Sequence, residues 1–266
     1  MKITKFLFKS YSLCPYKTYQ LLKGETGNKT EYEVIFKEIS DRYCEEGLKR
    51  NSGKYVGIEH IREYNLNDRA GTFNQRSTGQ YNVSFDVCAV ERLIGRSALG
   101  TYYYSPIIFT PNEKLSKEDS LEIAYDAIIL EVLQDRMPEH GKVVHGNGFR
   151  TSMLKIGSQI EKVKNIIAKI RNIDLGNPPK IILNRHCYVC EFKNSCRKKA
   201  VDKDDLSLIT GISQKEIEKQ NKKGIFTVTQ YSYTFRPRKR FKKAYPFNLK
   251  PWQFGRTRFM SWARPK

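Results

Sequence analysis

Apolar residues recur at helical spacing over 12–23, where Leu13, Tyr16, Tyr19 and Leu22 share one face, and Gly24 with the Gly27-Asn28 pair ends the segment. The same spacing predicts a second helix over 30–48, with Tyr32, Phe36, Ile39, Tyr43 and Leu48 as its stripe. Residues 51–79 are polar and glycine-bearing and read as loop or irregular strands. From Tyr81 the period drops to two: Tyr81, Val83, Phe85, Val87, Ala89 and Glu91 alternate with Asn82, Ser84, Asp86, Cys88 and Val90, as in a half-buried strand. Residues 102–109 give a second strand, 117–136 a long amphipathic helix, and 142–145 and 151–156 two further strands. Ile160, Val163, Ile166, Ile167, Ile170 and Ile173 then line one helical face before Gly176, Asn177, Pro178 and Pro179 break the pattern. Strands alternating with helices predict an α/β core.

Length and composition narrow this picture. A chain of 266 residues has room for one large domain and a small appendage. We expect a domain over 1–200, a small helical module over 201–235 and a tail over 236–266. The formal net charge of +20 favours polyanionic partners. No apolar run approaches the roughly 18 residues that span a bilayer, so no membrane association is expected. The basic N-terminus lacks an apolar stretch followed by a cleavage site, and a cytoplasmic location follows. Thiols stay reduced there, and clustered cysteines then point to metal or catalysis before disulfides.

Cys187, Cys190 and Cys196 form C-x2-C-x5-C, a spacing from which thiolates on one turn and the following segment can meet on one metal centre. Zinc and iron–sulfur clusters both ask for four ligands. The fourth has to come from elsewhere, with Cys14, Cys44 and Cys88 available. His186, adjacent to Cys187, points a different way from its neighbour. Spacing alone leaves zinc and iron–sulfur open.

Together, Cys14-Pro15-Tyr16-Lys17 near the start and Cys187, Cys190 and Cys196 near the end resemble the RecB-family nucleases that carry an iron–sulfur staple. That group includes CRISPR-associated exonucleases and the AddB subunit of bacterial recombination complexes. The run NRHCYVCEFKNSCRKKA, followed by KDDLSLITGIS and KKGIFTVTQYSYTFRPRKR, is similar to RecB-like nucleases of many prokaryotic genomes. The likeness is strongest over 106–240 and weak over 53–79. It implies a restriction-endonuclease-like core closed by a structural 4Fe–4S cluster on Cys14, Cys187, Cys190 and Cys196, and leaves Cys44 and Cys88 as ordinary thiols.

The resemblance also implies DNA as partner and a two-strand Mg²⁺ or Mn²⁺ site. In the family an Asp on one strand and a D/E-x-K on the next hold the metal, because these hard cations take oxygen ligands. Family members often add an upstream His, and a Gln and a Tyr on the following helix. Here Asp86 and Glu91 occupy the first strand as metal-ligating and catalytic candidates. They are five residues apart, hence on opposite faces of a regular strand. The second strand has no acidic residue between Ser105 and Phe109. Glu113-Lys114 follows it, which makes Lys114 the candidate lysine, Ser120-Leu121 stands where the glutamine is expected, and His60 is the candidate upstream histidine. A metal-dependent nuclease and a catalytically degenerate DNA-binding module that acts with a partner enzyme are both open readings, and a ribonucleoprotein role for the basic tail is a third.

The pattern Leu206, Leu208, Ile209, Gly211-Ile212, Ile217 and Gly224-Ile225 resembles a helix–hairpin–helix unit, whose turns present backbone N–H groups to phosphate. Gly211 and Gly224 are thus DNA-binding candidates, or simply helix caps. Arg236, Arg238, Lys239 and Arg240 open a tail rich in Lys, Arg and aromatic residues with no acidic residue. Phosphate contacts and base stacking suit such a segment, as does docking on a protein partner.

Overall fold

The computed structural model describes residues 3–51, 55–57 and 89–234. Their elements are α1 (Lys5–Leu13), α2 (Pro15–Leu22), α3 (Glu31–Arg50), β1 (Tyr55–Gly57), β2 (Ala89–Ser97), β3 (Gly100–Thr110), α4 (Lys117–Gln134), β4 (His140–His145), β5 (Arg150–Lys155) and α5 (Gly157–Arg171). A 3-10 turn (Arg185–Tyr188), α6 (Lys193–Asp202), a second 3-10 turn (Leu206–Leu208), α7 (Gln214–Lys222) and α8 (Val228–Tyr233) follow. The α/β class expected from the sequence is therefore observed.

The strands form one five-stranded mixed sheet in the order β1-β2-β3-β4-β5. β1, β2 and β3 pair antiparallel, α4 crosses over to bring β4 parallel to β3, and β5 returns antiparallel. Side-chain alternation sorts the sheet into two faces. Val90, Tyr104, Ile108 and Val143 point into the main core with Phe8 of α1, Ile123, Tyr125 and Ile128 of α4, and Val163 and Ile167 of α5. Phe8 stacks on Tyr125 at 4.6 Å between ring centres, which fixes α1 against α4. On the other face Tyr55, Ala89, Ile107 and Val144 meet Leu48 of α3. There Gly47 is required, because a Cβ would run into the ring of Phe109.

The helix expected over 12–23 is two helices. Pro15 lacks an amide hydrogen and its ring would clash with the carbonyl one turn earlier, so α1 stops and Cys14 adopts an extended backbone (φ −161°, ψ 111°) before Pro15 starts α2 at the position where proline is tolerated. The strand expected over 81–91 is described only from Ala89, and it continues to Ser97. The boundary expected at residue 200 falls inside α6, whose Ala200 is buried. Beyond α6, Leu206 and Ile217 are fully buried and an isolated bridge joins Asp205 to Thr227. No helix among the described residues is long and apolar enough to cross a membrane.

Candidate functional site

The break at Cys14 creates the first half of the site. Cys14 lies where α1 ends and α2 begins, so its sulfur faces the unbonded first-turn amides of a helix. Burial pushes the Cys14 thiol up, while the backbone N–H groups of Lys17 and Tyr16 act in the opposite direction and a neighbouring Cys187 adds to the rise. The second half is the loop after α5. Asn184 caps the first 3-10 turn: its Oδ1 accepts from His186 N–H at 2.9 Å, and its own N–H donates to Cys187 Sγ at 3.2 Å. Cys190 lies in the next turn, and Cys196 is on α6, its N–H donating to the Phe192 carbonyl at 3.0 Å.

Several long-range bonds join these halves. Asn184 Nδ2 donates to the Leu13 carbonyl at 2.9 Å, immediately before Cys14. Thr30 Oγ1, the N-cap of α3, donates to the Val189 carbonyl at 2.9 Å, and Asn28 N–H donates to the Glu191 carbonyl at 3.2 Å. Lys17, itself buried, bridges Glu33 at 3.1 Å and Glu191 at 3.2 Å. Lys199 Nζ donates to Tyr16 Oη at 3.0 Å. Gly27 lies so close to Glu191 that a Cβ would be 2.8 Å from the Glu191 carbonyl carbon.

Around this seam Cys14, Cys190 and Cys196 pack with Tyr16, Tyr19 and Phe192. Burial pushes the Cys196 thiol up to about 11, with further upward contributions from Cys14, Cys190 and Cys187. Burial likewise raises Cys190, which feels Cys14 and Cys187. The four sulfurs thus share one electrostatic neighbourhood as free thiols. Among the described residues no group of three or more His, Cys, Asp or Glu closes on a single metal-ion position. Cys44 sits on α3, roughly 20 Å along the helix axis from Thr30 at 1.5 Å per residue, while Cys88 lies outside the described residues.

The carboxylate candidates are less well assembled. Asp86 and His60 lie outside the described residues. Glu91 is on β2, opposite Ser105 of β3, and is buried. Its partner is Lys142 of β4, Nζ to Oε2 2.5 Å, reaching across β3 on the face that carries Ser105 and Ile107. Lys114 does not join Glu91: β3 runs five residues beyond Ser105, roughly 16 Å of strand, and Lys114 follows its end, beside His145 and Arg150. The lysine next to Glu91 was invisible in the sequence because it depends on a parallel pairing made over a helical crossover.

In the C-terminal module Gly211 takes a positive φ of 81° within the Ile209–Ile212 turn, where Ile212 N–H donates to the Ile209 carbonyl. Gly224 (φ 80°) ends α7: its N–H donates to Asn221 and Ile225 N–H to Gln220, which is the double bond of a glycine C-cap. Arg236, Arg238, Lys239 and Arg240 lie outside the described residues. No protein-family model matches the chain, and no curated protein is significantly similar to it.

Proposed function

We propose that the protein is a RecB-like, nuclease-fold DNA-binding protein whose Cys14, Cys187, Cys190 and Cys196 hold a structural 4Fe–4S cluster. The observation that carries this reading is the juxtaposition of Cys14 with the three late cysteines. Buried thiols with raised pKa values are poor ligands until a metal displaces their protons, and a soft, all-sulfur donor set suits iron–sulfur or zinc over hard cations. A single zinc needs sulfurs gathered within about 2.3 Å of one point. A polynuclear cluster takes its four thiolates on separate irons, and the iron and sulfide content of the purified protein distinguishes the two. When bound, such a centre supplies covalent cross-links between the N-terminal helices, the first 3-10 turn and α6. Support for the nuclease-like core comes from the antiparallel β2–β3 pair followed by a helical crossover to a parallel strand.

A divalent cation takes several oxygen ligands, and among the described residues the β2–β3 face offers Glu91 alone, already paired with Lys142. Among the described residues that donor set does not fit the metal. Ser105 and Ile107 occupy the β3 positions facing Glu91 and Lys142, which favours the second reading, a degenerate nuclease fold that grips DNA for a partner enzyme. Metal-dependent hydrolysis requires Asp86 to join Glu91, and a cleavage assay on the two variants tests it.

Anaerobic purification is expected to give brown protein with about four irons and sulfides per chain, and Cys14→Ser is expected to lose them. Colourless protein holding one zinc overturns the cluster, and full iron in Cys14→Ser overturns that ligand. With Mn²⁺ and single- or double-stranded DNA, cleavage abolished by Glu91→Ala and Asp86→Ala establishes the enzyme, and binding without cleavage establishes the module. Absence of DNA binding by the intact protein sinks both.

A further inference from the structure

The carboxyl ends of β3 and β4 carry a second polar site that neither the cysteines nor the Glu91–Lys142 pair uses. These two strands are the parallel pair of the sheet, and the carboxyl ends of parallel strands are where α/β sheets open ligand crevices. A notch of about 850 Å³ lies there, lined by Glu113, Lys114, His145, Arg150, Thr151 and Ser152. One wall is rigid and polar. His145 Nδ1 lies 3.2 Å from the Glu113 carbonyl and its Nε2 2.9 Å from Ser152 Oγ. A backbone carbonyl only accepts, so Nδ1 carries a proton towards Glu113, and Nε2 shares the second hydrogen bond with the serine hydroxyl.

The other wall is the β4–β5 turn, whose backbone forms a cradle. Gly146 (φ 71°) and Phe149 (φ 50°) both take left-handed conformations, and the Phe149 ring stacks on Tyr43 at 4.3 Å and lies under the Arg50 guanidinium at 4.2 Å. Tyr43 Oη donates to the Gly146 carbonyl at 2.7 Å, which fixes the turn to α3. Within this cradle sits the Glu113 carboxylate. Oε1 accepts from Asn147 N–H at 2.9 Å and Oε2 from Arg150 Nη2 at 2.7 Å. A Cβ on Gly146 would lie only 2.9 Å from Oε2, so the oxyanion rests where any other residue would put its side chain. A backbone amide, a guanidinium and a bare glycine thus surround an oxygen anion.

Glu113 and Arg150 are both more than half exposed, and such a pair contributes little stability. With Glu113 turned away, the notch presents the Arg150 guanidinium, the Lys114 ammonium and the Asn147 amide. That set suits a tetrahedral oxyanion better than a planar carboxylate, since it offers more donors than a carboxylate uses. We propose that this notch is a phosphate-binding site and that Glu113 is its built-in, displaceable occupant. The inference does not depend on the cysteine cluster or on the nuclease reading.

Backbone NMR of the intact protein at low ionic strength tests it, with inorganic phosphate and a short oligothymidylate as separate probes. Phosphate is expected to shift the amides of Gly146, Asn147 and Arg150. Glu113→Ala is expected to tighten phosphate about two- to five-fold, the worth of one exposed ion pair, and Arg150→Ala and Gly146→Ala to abolish the response. Shifts of the same amides by oligothymidylate assign the phosphate to a nucleic-acid backbone, and shifts by inorganic phosphate alone assign it to a small phosphate ester. No shift by either probe, or an undiminished response in Arg150→Ala, overturns the site.

Discussion

Gln134, the last residue of α4, is fully buried and completes a strand with its side chain. Its Oε1 accepts from Tyr104 N–H at 2.7 Å and its Nε2 donates to the Tyr104 carbonyl at 3.0 Å and the Arg136 carbonyl at 2.9 Å. β4 first pairs with β3 at Ile107, and at Tyr104 the Gln134 amide makes the hydrogen bonds a neighbouring strand would make. Gln134→Leu keeps the volume and removes the bonds, leaving buried backbone groups unpaired. A loss of about 2–4 kcal/mol is expected, measured by urea unfolding. A loss near zero means that water replaces the amide. The resemblance led us to expect a helix glutamine at residues 120–121. The glutamine that α4 carries stands at its other end, and both ends of its amide are bonded to backbone.

At the scale of elements, α1 is tied to α4 by charge as well as by Phe8 and Tyr125. Lys5 bridges Asp126 at 2.8 Å and Glu122 at 3.0 Å, and Lys9 bridges Glu122 at 2.8 Å. Burial raises Asp126 to about 7, with Lys5 opposing and Glu122 adding to the rise. Burial would raise Glu122 as well, yet Lys5 and Lys9 pull it down to about 2. The signs differ in their consequence. Asp126 binds its proton more tightly folded than unfolded, so stability falls as pH rises from about 4 towards 7; Glu122 does the reverse, and its contribution is lost as pH falls from about 4.5 to 2. From these two groups stability is expected to peak near pH 4 and to decline to about pH 7, and Asp126→Asn is expected to flatten that decline. Urea midpoints across pH check this, and an unchanged slope in the variant refutes the role of Asp126. Elements like α5 were legible from periodicity, because Ile160, Val163, Ile167 and Ile170 line one buried face. Capping boxes at Thr30-x-x-Glu33 and Ser116-x-x-Asp119 hold the starts of α3 and α4 in the structure. What periodicity could not give was register and partnership. Lys142 beside Glu91, and Asn184 on Leu13, both depend on contacts between distant segments. The pairing of Cys14 with the late cysteines came from resemblance, and spacing alone left three candidates.

At the scale of the whole molecule, charge and closure separate. The bonds from Asn184, Thr30, Lys17 and Lys199 already bring the N-terminal helices to the cysteine loop, and a cross-link between positions 14 and 187 would add about 5 kcal/mol if it acted only on unfolded-chain entropy. Eleven of the twenty net positive charges, by contrast, belong to residues 236–266, which carry no acidic residue. If the cluster holds the fold and the tail grips the polyanion, the two functions should be lost independently. Removing residues 236–266 is expected to leave iron content and the unfolding midpoint unchanged while weakening DNA binding. The logarithm of affinity falls with the logarithm of salt by about 0.9 for each phosphate neutralised, so the shortened protein should show a shallower slope, and its deficit should be largest at low salt. An equal slope with and without the tail would mean that the described residues make the phosphate contacts, and would move the binding surface to the basic side chains of the folded domain. Loss of iron on removing the tail would show instead that closure and charge are not separable in this chain.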